Sequence, residues 1–374
     1  MNKDPNFSRS NRLDDPVNLL FETSPFGTID AIVEHDGLAV YFYLNGRGKE
    51  GEKFGTRACW VRNLGPGPFV INADEMQQGI PPMMPKTHCK VRTDYVPPDP
   101  QSLSVVWFEE GNGAALIETD EQGSPTTLAV IPPWSGLEGF HGYSEECSSE
   151  SPLAWPMPRK ETLHLRIERA QEFWTMLRED DPFSVLQPEL LARMDARFAH
   201  DFRGDKMNRG YYAIDGGQFP PRGLVEYRSE NELIMVTIAM SMVPQPSVEI
   251  FTNDPSLWRR IELGIRYRGE LDDQIVEKFG MQISGLAGFP WRNFTWFGPG
   301  HTCSFGDAIP GSPFVLMVHD HRMKVSVDSQ ELPGFRGDPI NLLWMIPITE
   351  QQQNQLEAKE ITADDIIRAS HFEA

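Results

Sequence analysis

Between Phe26 and Pro133 the chain is written in short β-type runs separated by turn signals, and this limits the first third to a sheet-built lobe. The runs are "TIDAIVEHDGLAVYFYLNGRG", "TRACWVRNL", "PFVINA", "LSVVWFEEGNGAALIET" and "TTLAVIPP". Asp36-Gly37 and Asn112-Gly113 are expected to turn hairpins, because an Asx-Gly pair accepts the positive φ angles of a tight turn. The polar, Asn/Asp-rich start reads as a loose arm over residues 1–22 and the β-rich lobe as 23–133. Residues 134–158, rich in Pro, Gly, Ser and Glu, read as a connection to a second lobe over 159–374.

That second lobe mixes periods. Leu163, Ile167, Ala170, Trp174 and Leu177 recur at helical steps, and "PELLARMDARFAHDF" follows with Pro188 suited to a first helical turn. Strand-like runs are expected at 210–214, 223–228, 232–242, 247–251 and 260–267. A helix over "ELDDQIVEKFGMQISGLAG" comes next, then strands at 294–297, 313–318, 323–327 and 340–348. Thr349 and Thr362 carry helix-start chemistry near the C-terminus. Helices and strands come in runs without regular βαβ alternation. The expected class is therefore α+β, with mixed or antiparallel sheets and flanking helices.

Composition narrows the function classes. A net charge of −20 repels phosphate backbones, so direct nucleic-acid binding is disfavoured and a basic protein partner would be attracted. The longest apolar run, "ELIMVTIAMSMVPQP", is interrupted by Ser241, Pro244 and Gln245, which argues against a membrane span. The N-terminal stretch lacks the apolar core of a secretory signal. Cys59, Cys89, Cys147 and Cys303 are too few and scattered for a disulfide framework, so a cytoplasmic location is expected.

The segment "FTWFGPGHTCSFG", residues 294–306, raises the one question of chemistry. His301 and Cys303, with His319 and His321 from "VHDHRMKV", could supply four ligands to a metal, or a thiol and a base to a hydrolase. Against this, no C-x-x-C or H-E-x-x-H context is present, and the same residues suit a tight turn that needs Gly298 and Gly300. No G-x-S-x-G elbow, dinucleotide fingerprint or phosphate loop occurs, so no cofactor is expected. The pairs Glu109-Glu110, Glu145-Glu146, Asp180-Asp181 and Asp272-Asp273 read as solvated faces, of interest only as an acidic docking surface. Trp291, Phe294, Trp296 and Phe297 cluster beside the glycine turn; Trp296, Phe297 and His301 are the candidate contacts to a partner protein.

Several motifs in order, "VTIAMSMVPQP", "RRIELGIRYRG", "FTWFGPGHT" and "DPINLLWMIPITEQQQNQL", resemble the suppressor-of-fused domain family over roughly residues 205–370. The family pattern has a Thr-x-Gly-Met-Ser-like run, in which Ala239 here replaces the Gly. It also has a Glu-Leu-containing strand, a Gly-x-Gly-His-Thr turn and a final apolar strand ending in Pro-Ile-x-Glu. The resemblance implies a binding module and not an enzyme. The animal namesake holds a peptide of a transcription factor between two lobes, partly by strand addition, and bacterial members are associated with toxin systems in an immunity role. It therefore implies a partner such as a toxin or effector, whereas the animal partner is not carried over, because the N-terminal lobe differs.

Overall fold

The computed structural model describes residues 12–158, 161–198, 208–319 and 332–369. The chain divides into two units, residues 1–175 with 292–294 and residues 176–291 with 295–374.

The first unit opens with β1 (Val17–Thr23), β2 (Ile29–His35), β3 (Ala39–Gly46), the single helical turn α1 (Gly48–Gly51) and β4 (Thr56–Asn63). These four strands form an antiparallel meander in sequence order. Its hairpins are set by side chains. The Asp36 Oδ1 accepts from the backbone N–H of Leu38 at 2.9 Å and of Ala39 at 3.0 Å, while Gly37 takes a φ of 85°. The short helix α2 (Ala73–Gln77), capped by Asn72, precedes β5 (Leu103–Trp107), β6 (Ala114–Thr119), β7 (Pro125–Ile131), β8 (Tyr143–Ser144) and β9 (Trp155–Pro156). These strands make a second, five-stranded sheet in order.

The helix α3 (Glu161–Glu179) follows, and the division between units falls within it. β6 shows why an unbroken apolar run forms a strand here. Ala114 and Leu116 join the core shared with Phe42 and Trp60 of the first sheet, whereas Ala115 and Ile117 meet Leu163, Ile167 and Ala170 of α3 on the opposite face.

The second unit continues with α4 (Pro182–Phe198), β10 (Asn208–Ala213), β11 (Gly223–Arg228), β12 (Glu232–Ile238), α5 (Val248–Phe251), β13 (Arg260–Arg268), α6 (Asp273–Ala287) and α7 (Phe289–Asn293). β14 (Thr302–Ser304), β15 (Phe314–His319), β16 (Ile340–Ile348), α8 (Glu350–Glu357) and α9 (Ala363–Ala369) complete it. Its seven-stranded sheet runs β10-β11-β12-β13-β16-β15-β14. Only the central β13–β16 pair is parallel; the other neighbours are antiparallel. Trp344 of β16 lies opposite Gly264 of β13, where a Cβ would come within 3.1 Å of the indole. Phe198 of α4 packs edge-on against the same ring at 5.9 Å. α6 is started by Asp272, whose side chain accepts from the Ile275 N–H at 2.7 Å, and it buries Phe279 and Ile283. The architecture is α+β, as the run order predicts.

Several expectations are corrected. "PFVINA" is not a strand: Phe69 and Val70 are exposed, and Asn72 starts a helix instead. Residues 134–158 are more than a connection, since they contribute β8 and β9 and bury Cys147, Leu153 and Ala154. β1 takes up the end of the expected arm; residues 1–11 lie outside the described residues. α4 begins at Pro182, so Pro188 sits inside the helix and not in its first turn. Residues 248–251 are helical and follow Ser247 in the left-handed region, while residues 294–297 are not a strand, with Phe294 at a φ of 50°. The expected strand at 323–327 lies outside the described residues. Finally, Glu109, Glu110 and Glu146 are buried and not solvated: the first two face Arg169 and Arg166, and Glu146 pairs with Arg62 and Arg92.

Candidate functional site

The turn at 296–301 is built around two glycines. The Trp296 ring folds over Gly298 so closely that a Cβ there would approach it to 2.4 Å, and Gly300 holds a φ of 88°. Opposite Trp296 stands His301, its ring edge-on at 4.7 Å. The Gly298 N–H donates to His301 Nδ1 at 3.3 Å, and the His301 N–H donates to the Gly298 carbonyl at 3.2 Å. Two further backbone bonds hook the turn onto β15: Gly300 N–H to Met317 O and Met317 N–H to His301 O, both 2.8 Å. Burial lowers the His301 pKa, with a backbone hydrogen bond at Trp296 opposing it, so the imidazole is neutral at neutral pH.

One buried amide anchors the approach to this turn. Gln245 Oε1 accepts from the Phe297 N–H at 2.8 Å, and Gln245 Nε2 donates to the carbonyls of Phe297 at 3.0 Å and Trp258 at 2.8 Å. The side chain thus does what a neighbouring strand would do for Phe297. Phe297 itself is 2% exposed and stacks on Phe289 at 5.6 Å, so it belongs to the packing. Trp296 and His301 are half-buried and retain accessible surface.

Beyond the turn, β14 forms one edge of the seven-stranded sheet among the described residues. Thr302, Cys303 and Ser304 pair with Leu316, Val315 and Phe314 of β15. Burial pushes the Cys303 thiol up to about 11, which leaves it protonated at neutral pH and poor as a nucleophile. His319 is engaged elsewhere: its Nε2 lies 2.9 Å from Asn341 Oδ1, and its ring stands perpendicular to Trp258 at 5.3 Å. His321 lies outside the described residues. Among those residues no group of three or more His, Cys, Asp or Glu is placed to hold a metal ion. The hydrolytic alternative gains no support from this arrangement.

A second cluster escaped the sequence reading. Glu262 of β13 is wholly buried and accepts from Thr237 Oγ1 at 2.6 Å, Ser241 Oγ at 2.6 Å and the Ser241 N–H at 3.1 Å. Desolvation pushes its carboxyl up to about 7, with the hydroxyl and backbone donors opposing. Two residues away on the same face, the buried Arg260 donates to Asp338 Oδ2 at 3.2 Å, Met242 O at 2.6 Å and Ser241 O at 3.2 Å. Together they hold the 3-10 turn Met240–Met242, Glu262 by the Ser241 N–H and hydroxyl and Arg260 by the Ser241 and Met242 carbonyls, and Ala239 at its start is held at a φ of 66°. The available signal was a lone carboxylate in the apolar run "IELGI" beside a Thr and a Ser in "VTIAMSM".

Residues 218–369 match the model of the suppressor of fused protein family. The matched stretch covers less than half of the chain and takes in β11 to β16, the Glu262 cluster and the Trp296–His301 turn. Within the matched segment, Ala239 occupies a left-handed position, the conformation that favours glycine. No curated protein and no solved structure matches the chain. No helix among the described residues is long and apolar enough to cross a membrane.

Proposed function

We propose that the chain is a protein-binding module that sequesters a partner protein, in an immunity-type or regulatory role in the cytoplasm, and that it is not an enzyme. The match of residues 218–369 to the suppressor of fused family carries this reading. The geometry supports a particular grip: an extended segment of the partner adds to β14, with Trp296 and His301 as side-chain contacts at its end. The Phe305 N–H donates to Pro313 O of the strand's inner neighbour, so alternation turns the N–H of Ser304 to the open side. A net charge of −20 favours a basic partner, such as a toxin or effector, over nucleic acid.

The test is a binding measurement with candidate partners encoded beside the gene, at low and high salt. Steering by charge weakens as screening shortens its reach to about 8 Å at physiological ionic strength, whereas strand addition loses little. Ser304→Pro removes the outward N–H and should weaken binding at both salts. Trp296→Ala should cost about 2 kcal/mol, roughly thirtyfold, if the indole is an interface anchor. Failure to recover a partner at either salt, together with a hydrolytic turnover lost on changing His301 or Cys303, would replace this reading with the enzymatic one.

A further inference from the structure

Cys89 and Cys147 are far apart in sequence but directly opposed in the first unit, joined by an isolated antiparallel bridge. The flanking hydrogen bonds define its type. The Lys90 N–H donates to Glu146 O at 2.8 Å and the Ser148 N–H donates to His88 O at 2.9 Å, so Cys89 and Cys147 themselves form the non-hydrogen-bonded pair of the ladder. In such a pair the Cα atoms stand about 4.5 Å apart with both side chains on one face, inside the roughly 4.4–6.8 Å window that a disulfide requires. All four cysteines are free thiols in this structure.

Access is asymmetric. Cys89 is half-buried and lines a cavity of about 200 Å³ together with Trp60, Asn63, Arg92, Tyr95 and Glu146. Cys147 lies behind it at 2% exposure, its Sγ donating to Ser149 O at 3.0 Å and Ala154 O at 3.3 Å. The remaining buried thiol, Cys59, is turned toward the carbonyls of Trp60 and Tyr143.

We propose that Cys89 and Cys147 are an oxidisable pair that closes to a cross-strand disulfide when the protein meets a small-molecule disulfide such as oxidised glutathione. The Cys89 thiolate attacks one sulfur of the oxidant, forming a mixed disulfide and expelling one small thiolate. The Cys147 thiolate then attacks Cys89 Sγ, forming the protein disulfide and expelling the second small thiolate. Two protein thiols are oxidised, the oxidant is reduced to two thiols, and the two protons lost by the cysteines pass to the departing thiolates. The product ties residues 88–90 covalently to 146–148 beside the Arg92–Glu146 ion pair. Burial and the Glu146 charge hold the Cys89 thiol above its usual range, so closure accelerates as the pH rises.

The test incubates the full chain with oxidised glutathione, blocks residual thiols with N-ethylmaleimide and maps peptides without reduction. The expected result is a linked Cys89–Cys147 peptide, Cys59 and Cys303 still alkylated, and a melting temperature raised by several degrees and restored by dithiothreitol. Cys89→Ser, at the half-buried position, should abolish both the link and the shift. Cys147→Ala should instead leave Cys89 as a stable glutathione adduct. A linked Cys59–Cys147 peptide, a persistent glutathione adduct in the unaltered protein, or full alkylation of all four thiols after oxidation would overturn the proposal.

Discussion

Replacing Glu262 by Gln should flatten the pH dependence of stability of the second unit. The Glu262 carboxyl sits at about 7 in the fold against an ordinary 4.5, because it is wholly buried. The folded chain therefore holds a proton that the unfolded chain releases. Its stabilising contribution is complete below about 4.5 and is lost as the pH rises through about 7. At about 1.4 kcal/mol per pH unit across that interval, the loss reaches about 3.3 kcal/mol by pH 8. Gln keeps one acceptor oxygen, which serves Ser241 or Thr237 but not both, and it has no proton to lose, so its effect is a constant offset. Urea unfolding of both proteins from pH 5 to 8 gives the difference. His35, His141 and His301, held below their ordinary values mainly by burial, add stability as the pH rises and cancel in that difference. The variant should gain on the parent by about 2.5 kcal/mol between pH 5 and 8. Parallel curves would refute the argument that Glu262 is the group titrating there.

Two further substitutions probe the matched segment. Ala239→Gly should stabilise by about 0.5–1 kcal/mol, since it relieves a Cβ held at a φ of 66°; an unchanged or lower urea midpoint would count against strain at the Met240–Met242 turn. Gln245→Leu should cost about 2–3 kcal/mol by leaving the Phe297 backbone without its partner. Hydrogen exchange at Phe297 should accelerate in step, and unchanged protection there would show that the turn does not depend on this amide.

How much was legible in advance depended on the range of the interaction. The β2–β3 hairpin follows from Asp36 and Gly37, and the inner face of α3 from the spacing of Leu163, Ile167 and Ala170, because each signal sits within a few residues of what it determines. Residues 248–251 misled because local β propensity was overridden by a left-handed Ser247 directly after Pro246. The opposition of Cys89 to Cys147 depends on how a long loop returns to the second sheet, and no spacing rule reports that. Glu109 and Glu110 read as solvent-facing because their partners, Arg169 and Arg166, arrive from a helix nearly 60 residues later. In the candidate site, the role of the glycines was legible, whereas the grip of Gln245 on Phe297 was not.

The parallel junction of β13 with β16 governs the order in which the second unit can be made. Arg260 pairs with Ile340 across about 80 residues of intervening chain, at the centre of the sheet and not at its margin. During synthesis the meander β10-β11-β12-β13 can assemble as it emerges, but the β14–β15 hairpin has no place in the sheet until β16 arrives between them. The nascent chain must therefore carry β13 with one flank open for the whole of that interval, several seconds at ordinary elongation rates of about 5–20 residues per second. A chain interrupted before Ile340 would hold two sheet fragments lacking their common middle strand, each with an apolar edge exposed to aggregation.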